Sequence, residues 1–217
     1  MVLTPTEARV LGVLVEKAST VPDSYPLSLN ALTLGCNQKT ARDPVLNLSD
    51  ADVLQALEGL RERSLVNEVS GARVVRYEHN APRALGLPGA AVALLTLLVL
   101  RGPQTAAELR QNCERLHRFA DLSSVEGFLD ELAQKAPARV VKLARAPGAR
   151  EARWAHLICG EPVLPAATAA DTPLQDRDAI ADDLARLQRE HAQLAVEVAR
   201  LSALVQRMAR DLGIEAG

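Results

Sequence analysis

With 217 residues, 48% of them apolar and 24% charged, the chain suits one large or two small globular domains, and disorder of the whole is excluded. The formal net charge of −2 divides as −2 over residues 1–82, +4 over 83–160 and −4 over 161–217, so any polyanion contact must come from a local patch, for which only the middle third is a candidate. Tyr25, Tyr77, Phe119, Phe128 and Trp154 are too few and too scattered for the base-stacking platforms of single-strand binders.

Cys36, Cys113 and Cys159 lie far apart with no C-x-x-C, which reads as reduced thiols in a cytoplasmic protein rather than a disulfide framework or a zinc site. Met1 to Arg9 carries Glu7 and no basic-then-apolar pattern, so no secretory signal is expected. The longest apolar run, Ala90 to Leu100, is about half the length of a membrane span and reads as a buried core helix; no membrane association is expected.

In chain order, Thr4-Pro5-Thr6-Glu7 is a capping box with proline at the first helical position, and apolar residues at helical spacing predict a helix from about Pro5 to Ala18. Val21 to Pro26 is turn chemistry, and Leu27 to Leu34 predicts a short second helix closed by Gly35. Ser49-Asp50-Ala51-Asp52 opens a third, with Val53, Ala56, Leu57 and Leu60 on one face. Leu65 to Ser70 and Arg73 to His79, around Gly71-Ala72, predict a hairpin.

The same order then recurs. Ala91, Leu94, Leu95 and Leu98 mark a first helix, Thr105 to Glu108 caps a second running to about Leu116, and Ser123 to Glu126 opens a third. Val140 to Ala144 and Ala152 to Ile158, around Pro147-Gly148, predict a second hairpin. Val53, Ala56, Leu57 and Leu60 correspond to Val125, Phe128, Leu129 and Leu132, each 72 positions on, which is the mark of an internal duplication. Glu161 to Ala179, with Pro162, Pro165 and Pro173, reads as a linker over 161–179.

Beyond it, over 180–213, Leu184, His191, Val198, Val205 and Leu212 at a positions alternate with Ile180, Leu187, Leu194, Leu201 and Met208 at d, a heptad seam of a coiled coil. The expected assembly is a homodimer through this helix, its core contacts made by Leu184, Leu187, His191, Leu194, Val198, Leu201, Val205 and Met208. The alternative is packing of the helix on its own subunit.

Three helices followed by a hairpin is the winged-helix arrangement. The expected fold is therefore mainly α, an α+β winged helix in two tandem copies over 1–82 and 83–160, followed by the coiled-coil helix. Groove reading by the third helices is opposed by Asp50, Asp52, Glu58 and Glu62 in the first copy and by Glu126, Asp130 and Glu131 in the second. The wings are better placed: Arg73 and Arg76 lie in the first, and Lys142, Arg145, Arg150 and Arg153 flank the second, where they could contact phosphates without reading bases. An ordinary charged sheet edge explains them about as well.

The connection Cys36 to Leu48 is far longer than a helix-turn-helix turn, and its six hydrogen-bonding side chains either order the loop or form an anion or partner site led by Lys39 and Arg42. The four histidines, His79, His117, His156 and His191, stand in no metal-ligand spacing, and no phosphate loop or nucleophile elbow occurs, so no enzyme activity and no cofactor are expected.

The stretches Tyr25 to Asn30, Cys36 to Thr40, Arg42-Asp43-Pro44-Val45, Arg101 to Thr105 and Glu108-Leu109-Arg110, with the opening segment and the second hairpin, resemble the YceH-like family of uncharacterised bacterial proteins along nearly the whole chain. The resemblance implies a pair of winged-helix units and a C-terminal coiled coil, and it carries over no functional residue. The reading that results is a regulatory duplex-DNA-binding protein working through its wings. The alternative is an adaptor that binds a protein partner through its winged-helix faces and the loop 36–48.

Overall fold

The computed structural model describes residues 2–69, 74–145 and 148–162. Arg73, the hairpin residues Gly71, Ala72 and Pro147, most of the linker and the whole heptad seam, Leu184, Leu187, His191, Leu194, Val198, Leu201, Val205 and Met208 included, lie outside the described residues.

The capping box forms as the residues dictate: Thr4 Oγ1 accepts from the Glu7 amide while the Glu7 carboxylate accepts from the Thr4 amide, and helix α1 runs Pro5–Thr20. The second helix begins later than its apolar run. Ser28 is its N-cap, so α2 spans Leu29–Cys36, and the residues before the cap stay extended as a two-residue strand, β1 (Leu27–Ser28). Gly35 does not close this helix but lies inside it, where a Cβ would stand 2.6 Å from Val13 Cγ1 of α1. It is a close-packing glycine, and Asn37 is the C-cap.

Ser49 and Asp52 make a second capping box opening α3 (Asp50–Glu62), and a tight turn through Ser64 at φ 57° leads into β2 (Val66–Val69). Strand β3 (Arg76–His79) pairs antiparallel with β2 on one side and with β1 on the other, giving a three-stranded sheet in the order β1-β3-β2. A short helix, α4 (Ala81–Leu85), absent from the predicted elements, ends at Gly86 with φ 62° and joins the two halves.

Helix α5 (Gly89–Arg101) is buried on every side from Ala90 to Leu100, as an apolar run broken by the single polar residue Thr96 demands. Thr105 and Glu108 form a third capping box, opening α6 (Ala106–Cys113), three residues shorter than expected because the Leu116 and His117 amides both turn back to the Cys113 carbonyl. Asp121 rather than Ser123 caps α7 (Leu122–Gln134). Strands β4 (Val140–Lys142) and β5 (Trp154–His156) form the second hairpin.

The repeat is geometrical as well as compositional. Helices α3 and α7 have the same length 72 positions apart, and Val53, Leu57 and Leu60, like Val125, Leu129 and Leu132, are at most 1% exposed. The β1–β3 pair Leu27 and Tyr77 recurs, 77 positions on, as an isolated antiparallel bridge between Gln104 and Trp154. The two halves meet along α1 and α5, where Gly12 lets Leu100 approach to about 3.0 Å of where a Cβ would be. One continuous apolar core therefore crosses the duplication, and each fully buried leucine in it contributes about 1.5–3 kcal/mol. The described part is a helix-rich protein with two small sheets.

Candidate functional site

The loop between α2 and α3 is held by two arginines. Arg42 turns inward, its side chain fully buried: Nε donates to the Gly35 carbonyl at 3.2 Å, Nη1 to Ala41 O at 2.9 Å and Glu16 Oε1 at 3.1 Å, and Nη2 to Glu16 Oε2 at 2.6 Å and Gln38 Oε1 at 2.7 Å. Every N–H direction of the guanidinium is engaged within the fold, and none faces an external anion. Arg9, set among buried apolar residues of α1, reaches the opposite side of the loop, donating to Cys36 O at 3.2 Å and Pro44 O at 2.7 Å. Burial, with the like charge of Arg42 behind it, pushes its pKa down. The Asn37 side chain bonds both the amide and the carbonyl of Leu48, replacing a strand partner, and the Asp43 amide donates to Leu100 O of α5. Lys39 stays exposed at the loop surface. Sequence reasoning missed Arg9 and Glu16 as the loop's anchors; the signal was an arginine set among buried apolar residues, which has to find acceptors.

The cations of the two hairpins separate into two kinds. Arg76, at the start of β3, donates from Nη1 to the Pro26 carbonyl at 2.7 Å, and Arg153, 77 positions on, donates from Nη1 to the Pro103 carbonyl at the same distance. Pro26 and Pro103 are themselves 77 apart, each lying two residues before the cap of its helix, α2 or α6. Arg153 also pairs with Glu108 at 3.0 Å. These two arginines tie strand to helix start in both copies. Lys142 lies over the Trp154 ring, 5.3 Å from its centroid, a cation–π contact that leaves the ammonium exposed. Arg145 and Arg150 are exposed and have no ion-pair partner among the described residues. Of the predicted contact residues, the structure thus brings Lys142, Arg145 and Arg150 to one exposed hairpin, while Lys39 stands on the loop apart from them.

The outer faces of the third helices are acidic. Helix α3 exposes Asp50, Asp52, Glu58 and Glu62, and its Arg61 and Arg63 are engaged by Glu68 at 3.1 Å and Glu7 at 2.8 Å. Helix α7 exposes Glu126, Asp130 and Glu131 and contains no lysine or arginine. Leu54 on α3 is 40% exposed, and Leu34 on α2 is 64% exposed.

Among the described residues no group of three or more His, Cys, Asp or Glu could hold a metal ion, and no helix is long and apolar enough to cross a membrane. Cys36, Cys113 and Cys159 are free thiols, pushed up by burial to about 12, about 11 and about 11.

These observations define the class: a helix-rich protein built from a duplicated α+β unit. Residues 3–149 match the family described as "Protein of unknown function, DUF480". The chain belongs to this family of uncharacterised bacterial proteins, in agreement with the resemblance read from its motifs. A UPF0502 protein of Leptothrix cholodnii is 65% identical over 213 residues, which cover 98% of this chain and 96% of that protein. UPF0502 proteins of Burkholderia thailandensis and Cupriavidus taiwanensis are 60% and 61% identical, with 99% of this chain aligned in each case and 91% and 88% of the relatives.

Proposed function

We propose that the chain is a non-enzymatic, cytoplasmic interaction adaptor of tandem winged-helix type, which docks a protein partner of basic surface on the acidic outer faces of its third helices. The observation that carries the reading is the carboxylate face of α3 and α7; Arg76 and Arg153 besides commit Nη1 to equivalent proline carbonyls, which leaves fewer of their N–H groups for a phosphate. The carboxylates of α3 and α7 oppose a duplex and favour a cationic partner, and the partly exposed Leu54 adds an apolar contact beside those of α3. The order of helices and hairpin in both halves supports the winged-helix reading. Three free thiols support a reducing compartment.

The second reading, duplex binding, is favoured by Lys142, Arg145 and Arg150 on the second hairpin. Fluorescence polarisation of the full chain on random duplex DNA across a salt series separates the two. The adaptor reading expects no binding beyond a weak background. Binding at low salt that falls steeply with added salt and disappears in the Lys142→Ala, Arg145→Ala, Arg150→Ala variant replaces it with the DNA reading.

The heptad seam supports a homodimer through the C-terminal helix. Light scattering on the full chain and on a version ending at Leu164 tests this, and a full chain that is monomeric at tens of micromolar rules it out.

A further inference from the structure

Where the loop 36–48 meets the second half of the described unit, an open cleft of about 340 Å³ lies between residues of α1 and the loop on one wall and the ends of α5 and α6 on the other. The volume falls within the range of small-molecule sites, which favour such junctions. Its charged residues are Lys17, Arg42, Arg101 and Arg115 against Glu16 and Glu114. Glu16 is held by Arg42 at 2.6 Å and reaches Lys17 only at 3.6 Å. Three cations thus line the cleft with Glu114 as their remaining counter-charge, and Arg115 has no ion-pair partner among the described residues.

The cationic wall is built rather than incidental. Arg101 Nη1 donates to Asn112 Oδ1 at 2.9 Å, Asn112 Nδ2 donates to Gln104 Oε1 at 2.8 Å, and the buried Gln104 donates in turn to Leu97 O at 3.0 Å. This chain fixes the Asn112 amide and, through it, the guanidinium. On the facing wall Lys17 Nζ donates to Gln38 Oε1, itself fixed by Arg42, at 3.3 Å. Arg101 retains most of its N–H groups, and Lys17 two of its three, for a further acceptor.

We propose that this cleft binds a small anion of two or more negative charges, a phosphate compound or a dicarboxylate, clamped by Lys17 from the first half and by Arg101 and Arg115 from the second. Two negative charges match the excess of two cations, and an arginine fork suits either anion. The proposal is independent of the adaptor reading, since no residue of the third helices or wings enters it.

The test is the thermal unfolding of the full chain with pyrophosphate, malonate or sodium chloride at matched ionic strength. Pyrophosphate, malonate or both should raise Tm by several degrees over chloride, saturably. The apparent affinity should fall about tenfold in Arg115→Gln, whose exposed side chain has no partner to lose, and further in Lys17→Gln with Arg115→Gln. A response to pyrophosphate alone assigns the phosphate class, and one to malonate alone assigns the dicarboxylate class. No rise above chloride with either anion, or an equal rise in Arg115→Gln and the double variant, overturns the site.

Discussion

Arg42 bears the most demanding prediction, because the residue that sequence reasoning offered as an anion contact is bonded wholly inside the fold. Truncation to alanine leaves the Gly35 carbonyl, Gln38 Oε1 and the Ala41 carbonyl short of a donor, at about 1 kcal/mol each. It also leaves the Glu16 carboxylate, 13% exposed, with only the longer contact to Lys17. Together the loss is about 3–5 kcal/mol, the range for breaking one side of a buried ion pair. Urea unfolding of the full chain followed by circular dichroism measures it, and Tm should fall by about 10 °C. Lys39→Ala, at an exposed position on the same loop, should stay within about 0.5 kcal/mol of the parent. Arg42→Lys should recover only part of the loss, since an ammonium cannot reproduce a planar fork of five donors. A double-mutant cycle with Glu16→Gln should give a coupling of about 2 kcal/mol. A cost below about 1 kcal/mol for Arg42→Ala, or a coupling near zero, refutes the account of a clamped scaffold loop.

Other perturbations reach different parts of the fold. Gly35→Ala places a Cβ against Val13 Cγ1 in the core and should cost about 1–3 kcal/mol in urea unfolding despite the better helix propensity of alanine; a stabilised variant would show that α1 and α2 have room to part. His156 and His79 are both held below their ordinary value of 6.5 by burial, so the unfolded chain takes up their protons first as pH falls. Stability from this source is present above about pH 6.5 and is lost below it; urea midpoints at about pH 7 and about pH 5 should differ, and His156→Asn with His79→Asn should flatten the difference. An unchanged slope in that variant would place the acid sensitivity elsewhere. With Cys36 and Cys113 raised to about 12 and about 11 and buried, both should resist alkylation in the native protein at mildly alkaline pH and react fully in urea; prompt native labelling of either would contradict the packing of α2 or α6.

What could be read from the sequence was what local chemistry determines. The capping boxes at Thr4, Ser49 and Thr105 each place their helix start to the residue, because the cap and the carboxylate that answers it lie within one turn. The apolar stripes of α3 and α7 become the buried faces. Elements that exist only through distant partners could not be read. Strand β1 is two residues long and carries no periodicity, and it exists because β3 lies beside it. Helix α4 has five residues, too few for a repeat of 3.6 to show. The candidate site divides along the same line: the basic residues of the hairpins were visible, but whether each faces solvent or a carbonyl about 50 residues away is set by tertiary contact.

The duplication supplies an internal control on that last point. At the bridge between the short strand and the hairpin, the two copies have diverged in chemistry, Leu27 with Tyr77 in one and Gln104 with Trp154 in the other. The arginine and the proline beside them are present in both, and both copies make the same bond at 2.7 Å. Proline lacks an amide hydrogen and so cannot join a strand ladder as a donor, which leaves its carbonyl as the one main-chain hydrogen-bonding group that the proline itself offers to the hairpin. An arginine on the hairpin strand answers that carbonyl without needing a regular strand beside it. A phosphate contact through Nη1 would cost each guanidinium this bond and its approach to the helix start. In the second copy Nη2 is held as well, by Glu108, which caps α6 through its other oxygen. The arrangement therefore assigns Arg76 and Arg153 to the fold, and leaves recognition to the side chains that the two copies do not share.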